Sequence, residues 1–254
     1  MLYRVAIAAV AVILAVAALS SPVGAHQPAI GKGSCNGERA CEGLTGTAGD
    51  NSCNGTEACL NSSATIGDDA CNGEKACPDT GGSIGDGSCD AGGVHGGPTY
   101  ACVYSTGEIG RHSCLGPFVC YAKHGDIANH SCNIAEEICT DNTGKIGDDS
   151  CNGWCAFNHG EIGDYSCNPG TCSGNTGTIG HHSCSLQRLV HDGVAWCGDN
   201  SGTIGNRSCN EEGACPNNSG DIGNRSCNAE FACPDNTGII RNNRCNTSQA
   251  CIGP

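Results

Sequence analysis

The chain is poor in what an ordinary globular core is built from. Two Trp, five Tyr and three Phe are its only aromatic residues in 254 positions, so little large apolar surface is available to offset the entropy of ordering so long a chain. Basic residues are scarce too: twelve Lys and Arg stand against twenty-six Asp and Glu, a formal charge of -14. That balance argues against nucleic acid and against anionic membrane surfaces as partners. No Cys-x-x-Cys occurs, the closest pair being Cys151 and Cys155, which argues against thiolate clusters and structural zinc. A 3.6-residue apolar period is also missing among so much Gly, Asn and Ser, so helical repeats fit badly.

Long apolar runs are limited to one. Val5 to Leu19 follows the single charge of Arg4 and precedes the small residues Val23, Gly24 and Ala25. Residues 1-25 therefore read as a cleaved export signal, because fifteen apolar residues fall short of the roughly 20 that a spanning helix needs. The remainder, 26-254, is expected to be secreted, with no membrane span after cleavage.

What the chain does have is 40 Gly and 24 Cys. In an exported protein an even number of cysteines implies an oxidised disulfide framework. They fall into twelve pairs: Cys35 and Cys41, Cys53 and Cys59, Cys71 and Cys77, Cys89 and Cys102, Cys114 and Cys120, Cys132 and Cys139, Cys151 and Cys155, Cys167 and Cys172, Cys184 and Cys197, Cys209 and Cys215, Cys227 and Cys233, and Cys245 and Cys251. Spacing within a pair runs from 4 to 13, yet from each pair to the next it is 12 in all eleven cases. A constant segment alternating with an elastic one marks a repeated structural unit with insertions on one side.

The constant segment keeps other letters as well. Ile stands five residues before the first cysteine in eleven of twelve units, with Ala48 as the exception; Gly follows it in ten, and Ser directly precedes the cysteine in ten. One apolar position kept so strictly predicts a file of isoleucines along a narrow axis. The fold expected is all-β, a single cysteine-rich β-solenoid of about twelve coils with an 18-residue basic repeat. Strands of three to five residues, as at 176-180 and 201-205, point Ile inward and Thr outward. Glycine is expected to supply the unusual corner angles, and Cys-Asn-Gly, as at 35-37, signals a turn. Twelve coils about 4.8 Å apart give a rod of roughly 55 to 60 Å.

Asn recurs nine residues before the first cysteine in six consecutive units, at 142, 158, 175, 200, 218 and 236. Stacked coils place these side chains over one another, where they form an amide ladder. The cysteines allow two arrangements. Closure within each unit contributes about 2 kcal/mol per six-residue loop, and it lets the elastic segment vary without disturbing the frame. Bridges between equivalent cysteines of adjacent coils also fit, since about 4.8 Å lies within disulfide reach.

Function is sought where the repeat is interrupted. Two loops, 90-101 and 185-196, hold twelve residues between paired cysteines, and loops on a rigid scaffold carry recognition. His95, Tyr100, His191 and Trp196 are the contact candidates there. Asp50, Asp68 and Asp86 hold one position in three successive units, and such a row invites calcium, which prefers carboxylate oxygens. No other cofactor is expected. No carboxylate pair or Ser-His-Asp set departs from the repeat, and His112, His130, His181 and His182 occupy positions that Asp and Asn fill elsewhere. The expectation is a non-enzymatic structural or adhesion-type interaction protein, a rigid extracellular scaffold with a surface, glycan or protein partner.

The pairs Thr45-Gly46-Thr47, Ser63-Ala64-Thr65, Thr176-Gly177-Thr178 and Ser201-Gly202-Thr203, on a disulfide-braced coil, resemble the beetle antifreeze-type solenoids. The resemblance implies an alternative function, ice binding by Thr/Ser-x-Thr rows. It departs where the outer position becomes Glu108, Asp126, Lys145, Glu161 or Asp221, and where the coil has eighteen residues.

Overall fold

A computed structural model describes residues 28–90, 100–133, 138–186, 195–248 and 251, with the backbone alone for 195 and 196. The export-signal segment 1-25 lies outside them, as do His95 and His191 and the side chain of Trp196. The described chain is an all-β solenoid. Its strands are β1 (Thr47–Ala48), β2 (Thr65–Ile66), β3 (Ser83–Ile84), β4 (Glu108–Ile109), β5 (Asp126–Ile127), β6 (Lys145–Ile146), β7 (Glu161–Ile162), β8 (Gly170–Thr171), β9 (Thr178–Ile179), β10 (Ala195–Trp196), β11 (Thr203–Ile204), β12 (Asp221–Ile222) and β13 (Ile239–Ile240).

Eleven of them form one parallel sheet in the order β1-β2-β3-β4-β5-β6-β7-β9-β11-β12-β13, and β10 pairs with β8 in a second. An isolated bridge between Ile30 and Ala48 adds the first unit to the large sheet. Register matches like with like: Ile66 faces Ile84, Ile146 faces Ile162, and Ile204 faces Ile222. The inner residue is buried from Ala48 through Ile222, while its neighbour toward the chain start faces solvent. The file of isoleucines is therefore real, each worth about 2 kcal/mol of apolar burial. The strands, however, have two residues, shorter than the expected three to five, because the backbone turns immediately on either side.

All twelve disulfides close within their own unit. Cys35 bonds Cys41, Cys53 bonds Cys59, Cys71 bonds Cys77, Cys89 bonds Cys102, Cys114 bonds Cys120 and Cys132 bonds Cys139. In the later units Cys151 bonds Cys155, Cys167 bonds Cys172, Cys184 bonds Cys197, Cys209 bonds Cys215, Cys227 bonds Cys233 and Cys245 bonds Cys251. None of the cysteines is free. The alternative of bridges between coils is excluded: Cys59, Cys139, Cys172 and Cys197 each bond the first cysteine of their own unit and not the equivalent cysteine above or below. Their loops differ in length, with sequence separations of 6, 7, 5 and 13, yet the Cα–Cα spans are 5.7, 6.1, 6.1 and 6.0 Å. The bridge fixes the span, so the elastic segment can lengthen without moving the frame.

The bridges form a second buried column, in which the apolar volume is sulfur and the small side chains of Ala58, Ala76 and Ala101. Among the described residues the core holds no aromatic side chain.

The corner angles come from an unexpected source. Every first cysteine has φ between 53° and 61°, and the position two residues earlier is left-handed as well, whether it carries Asn51, Asp69, His112, Tyr165 or Arg207. A non-glycine residue there costs about 1–2 kcal/mol, which the paired coils and the disulfide hold in place. Gly33 and Gly87 fill the same position with φ of 72° and 62°, as expected of corner glycines, but other glycines have another duty. Gly125 and Gly177 do not sit at positive φ; a Cβ on either would fall inside the carbonyl oxygen of the next coil, Gly144 or Gly202. They are small because the coils stack in contact.

Candidate functional site

Each letter of the repeated phrase has a structural task, which separates surface available for function from surface already committed. The serine before the first cysteine links coils in series. Ser131 N–H donates to Ser113 Oγ at 3.2 Å, and Ser131 Oγ donates to Gly147 O at 2.8 Å. The position three before the cysteine accepts a backbone N–H from the preceding coil. Asp68 Oδ1 takes Asp50 N–H at 2.7 Å, Asp86 takes Asp68 N–H at 3.1 Å, and Asn224 takes Asn206 N–H at 2.8 Å. His181 does the same through Nδ1 for Asp164 N–H, at 3.0 Å. Asp, Asn and neutral His interchange because each offers an acceptor.

This gives the row Asp50, Asp68 and Asp86 a role in stacking. One oxygen of each carboxylate is engaged along the column, and among the described residues no three carboxylates bring oxygens within 4.8 Å of one another. Calcium takes 6–8 converging oxygens, and this row does not fit it. The sulfur trios from adjacent coils are close enough for a metal, but all their members are in disulfides and no thiolate is present to ligate.

The interior column nine residues before the first cysteine holds the amide ladder. Nδ2 of Asn158, Asn175, Asn200, Asn218 and Asn236 donates to Oδ1 of the preceding Asn at 2.7–2.9 Å. The second hydrogen goes to the glycine carbonyl two residues on, as from Asn175 to Gly177 at 3.2 Å. In earlier coils the same column reads Leu44, Ser62, Thr80, Ser105 and Lys123, all buried. Lys123 Nζ donates to Glu108 O at 2.6 Å. Burial lowers its pKa to about 8, opposed by the Asp126 and Glu108 carboxylates.

The surface left over is aromatic. Of the four loop candidates only Tyr100 is described in full. Its ring stacks on Phe118, centroids 5.3 Å apart, and Lys75 Nζ lies 5.5 Å from its centroid. Hydrogen bonding to Tyr100 holds Lys75 above its usual pKa. Tyr100, Phe118, Tyr121, Thr140 and Asp141 line an open groove of about 440 Å³, and Tyr104 meets Tyr121 edge-on at 5.8 Å. Trp154 and Phe157 continue the exposed aromatics two coils on, at 58 % and 53 % exposure. Phe118 and Tyr121 were not anticipated, although Phe118 shares with Tyr100 an offset of two residues before the second cysteine. That shared offset was the available signal.

A family described as Domain of unknown function (DUF7640) matches residues 18–100, 95–211 and 187–254. Comparison with curated proteins and with solved structures found no match.

Proposed function

The chain belongs to the DUF7640 family, and we propose that it is a secreted, non-enzymatic interaction protein, a rigid extracellular rod whose contact surface is the aromatic strip beside the second cysteines of its middle coils. The observation that carries this reading is the placement of the aromatics. Tyr104, Phe118, Tyr121, Trp154 and Phe157 are all exposed, while the core is filled by Ile, Ala and cystine. Large apolar rings held in water by a stiff scaffold mark an interaction site, and planar faces with a polar rim suit a sugar face or an extended segment of a surface protein. Twelve disulfides agree with an oxidising compartment, and among the described residues no helix is long and apolar enough to cross a membrane.

The test is a glycan and cell-surface pull-down with oxidised protein, repeated with Phe118→Ser and Tyr121→Ser together. Both side chains are exposed, so the fold should persist while binding falls at least tenfold. Retained binding by the double variant removes the strip from the function. Ice binding is the second reading, favoured by the outward Thr47, Thr65, Thr178 and Thr203 on one sheet. Glu108, Asp126, Lys145 and Glu161 divide these into two separate patches, which weakens it. An ice-growth assay on the oxidised protein decides: normal crystal habit ends the idea.

A further inference from the structure

We propose that the corner of the last four coils is a second binding site, for sulfate or phosphate groups carried on a polysaccharide. The corner is built from the two positions preceding Ser-Cys. In coils nine to twelve these are His181 and His182, Asn206 and Arg207, Asn224 and Arg225, and Asn242 and Asn243, and together they line a groove of about 400 Å³. Arg207 and Arg225 occupy one position in adjacent coils, so their backbone positions repeat at about 4.8 Å along the rod and both side chains leave the same corner. Arg241 and Arg244 lie in the next coil, and all four arginines are exposed.

Two features set this corner apart. Each exposed arginine elsewhere among the described residues is answered, Arg39 by Glu42 and Glu57 and Arg111 by Asp86, and Lys75 reaches Glu57, while Lys32 and Lys145 stand singly in their coils. Among the described residues no carboxylate pairs with Arg207, Arg225, Arg241 or Arg244; Asp164 lies 3.2 Å from His181 at the far end of the groove. Moreover, the same corner in coils two to four carries Asp50, Asp68, Asp69 and Asp86. One edge of a chain with charge -14 thus changes sign along its length.

Unpaired guanidinium forks recognise oxyanions through paired N–H donors. Two forks one coil apart suit a tetrahedral group, whose three free oxygens can be shared between neighbours, better than a planar carboxylate. The Asn side chains between them keep their Oδ1 atoms turned to the stacked backbone, as in Asn224 and Asn242, so each Nδ2 is the atom available to a ligand. Tyr165 lies flat on His182, centroids 4.9 Å apart and planes within 5°, and gives the groove an aromatic end wall. A linear polymer lying along the rod meets a donor set at every coil.

The variant Arg207→Asn with Arg225→Asn tests this without disturbing the corner, because Asn51 and Asn243 hold the equivalent position with φ of 53° and 58°. Binding of the oxidised full chain to dextran sulfate, dextran phosphate and unmodified dextran is measured at several salt concentrations. The wild type should bind one or both charged polymers and not dextran, and the tighter of the two identifies the ester. The double variant should lose at least tenfold, with a salt dependence shallower by about two charges, whereas Asp68→Asn should change neither. No binding to either charged polymer, equal binding to dextran, or undiminished binding by the double variant would overturn the proposal.

Discussion

The two halves of the interior column solve one problem with different chemistry. From coil seven onward six asparagines repeat a single answer, and each of the last five amides donates to the one before it. Before that point Leu44, Ser62, Thr80, Ser105 and Lys123 fill the same place individually. Ser62 and Thr80 share a hydroxyl contact at 2.7 Å, Thr80 Oγ1 donates to Cys77 O, and Ser105 Oγ donates to Cys120 O. In both halves no buried side-chain polar atom of the described residues lacks a partner. The backbone frame and its disulfides are common to both, so the frame demands only that the column be filled and satisfied. A continuous ladder is one way to meet the demand.

Reduction should produce the largest effect and erase the comparison. Each closure contributes about 2 kcal/mol, and the isoleucine file is too thin to replace twelve of them. Opened by reductant, both halves should lose amide exchange protection together and become protease-sensitive. Protection surviving in coils seven to twelve alone would show that the ladder is self-sufficient.

A smaller effect separates the halves. Asn175→Ala removes two donated bonds and strands the Asn158 acceptor and the Asn200 donor, at a cost of about 2–3 kcal/mol. Thr80→Ala, in the individual half, should cost about 1 kcal/mol. Hydrogen exchange of the glycine amides next to each substitution reads both values, and equal losses would deny the ladder any energy beyond its separate bonds.

Lys123 stands at the junction, and its replacement sharpens the contrast most gently. Its folded pKa of about 8 lies below the usual lysine value near 10.4. Between those values the unfolded chain binds more protons, so stability should rise as pH increases from about 8 to about 10. Below pH 8 the full penalty of the buried charge is present. Lys123→Asn should extend the ladder by one member, stabilise the protein at pH 7 by on the order of 2 kcal/mol, and abolish the rise. Denaturation midpoints at pH 7 and pH 10 measure both effects; an unchanged pH dependence would place its origin elsewhere.

Much of this was legible from spacing. The isoleucine file, the amide ladder and the solenoid itself follow from offsets counted to the first cysteine, because equal offset becomes vertical contact once coils stack. Lys123 has the ladder's own offset, nine before Cys132, yet a lone lysine among polar residues reads as surface. The row Asp50, Asp68 and Asp86 was legible as a column but not as a column of acceptors, since charge draws attention to ions before it does to backbone N–H groups. Glycine was assigned to the corners, where Gly33 and Gly87 do take positive φ, but in every coil the left-handed first cysteine shares that task, and many other glycines serve the contacts between coils.

The sequence by itself determined the period, the inward residue, the oxidised cysteines and the stacking of like on like, because a constant twelve-residue frame leaves one register. Only the tertiary structure decided which cysteines pair, that strands shrink to two residues, and that Tyr100, Phe118 and Tyr121 gather into one groove. Those outcomes depend on the direction in which each side chain leaves a tight corner, and spacing along the chain carries no record of direction.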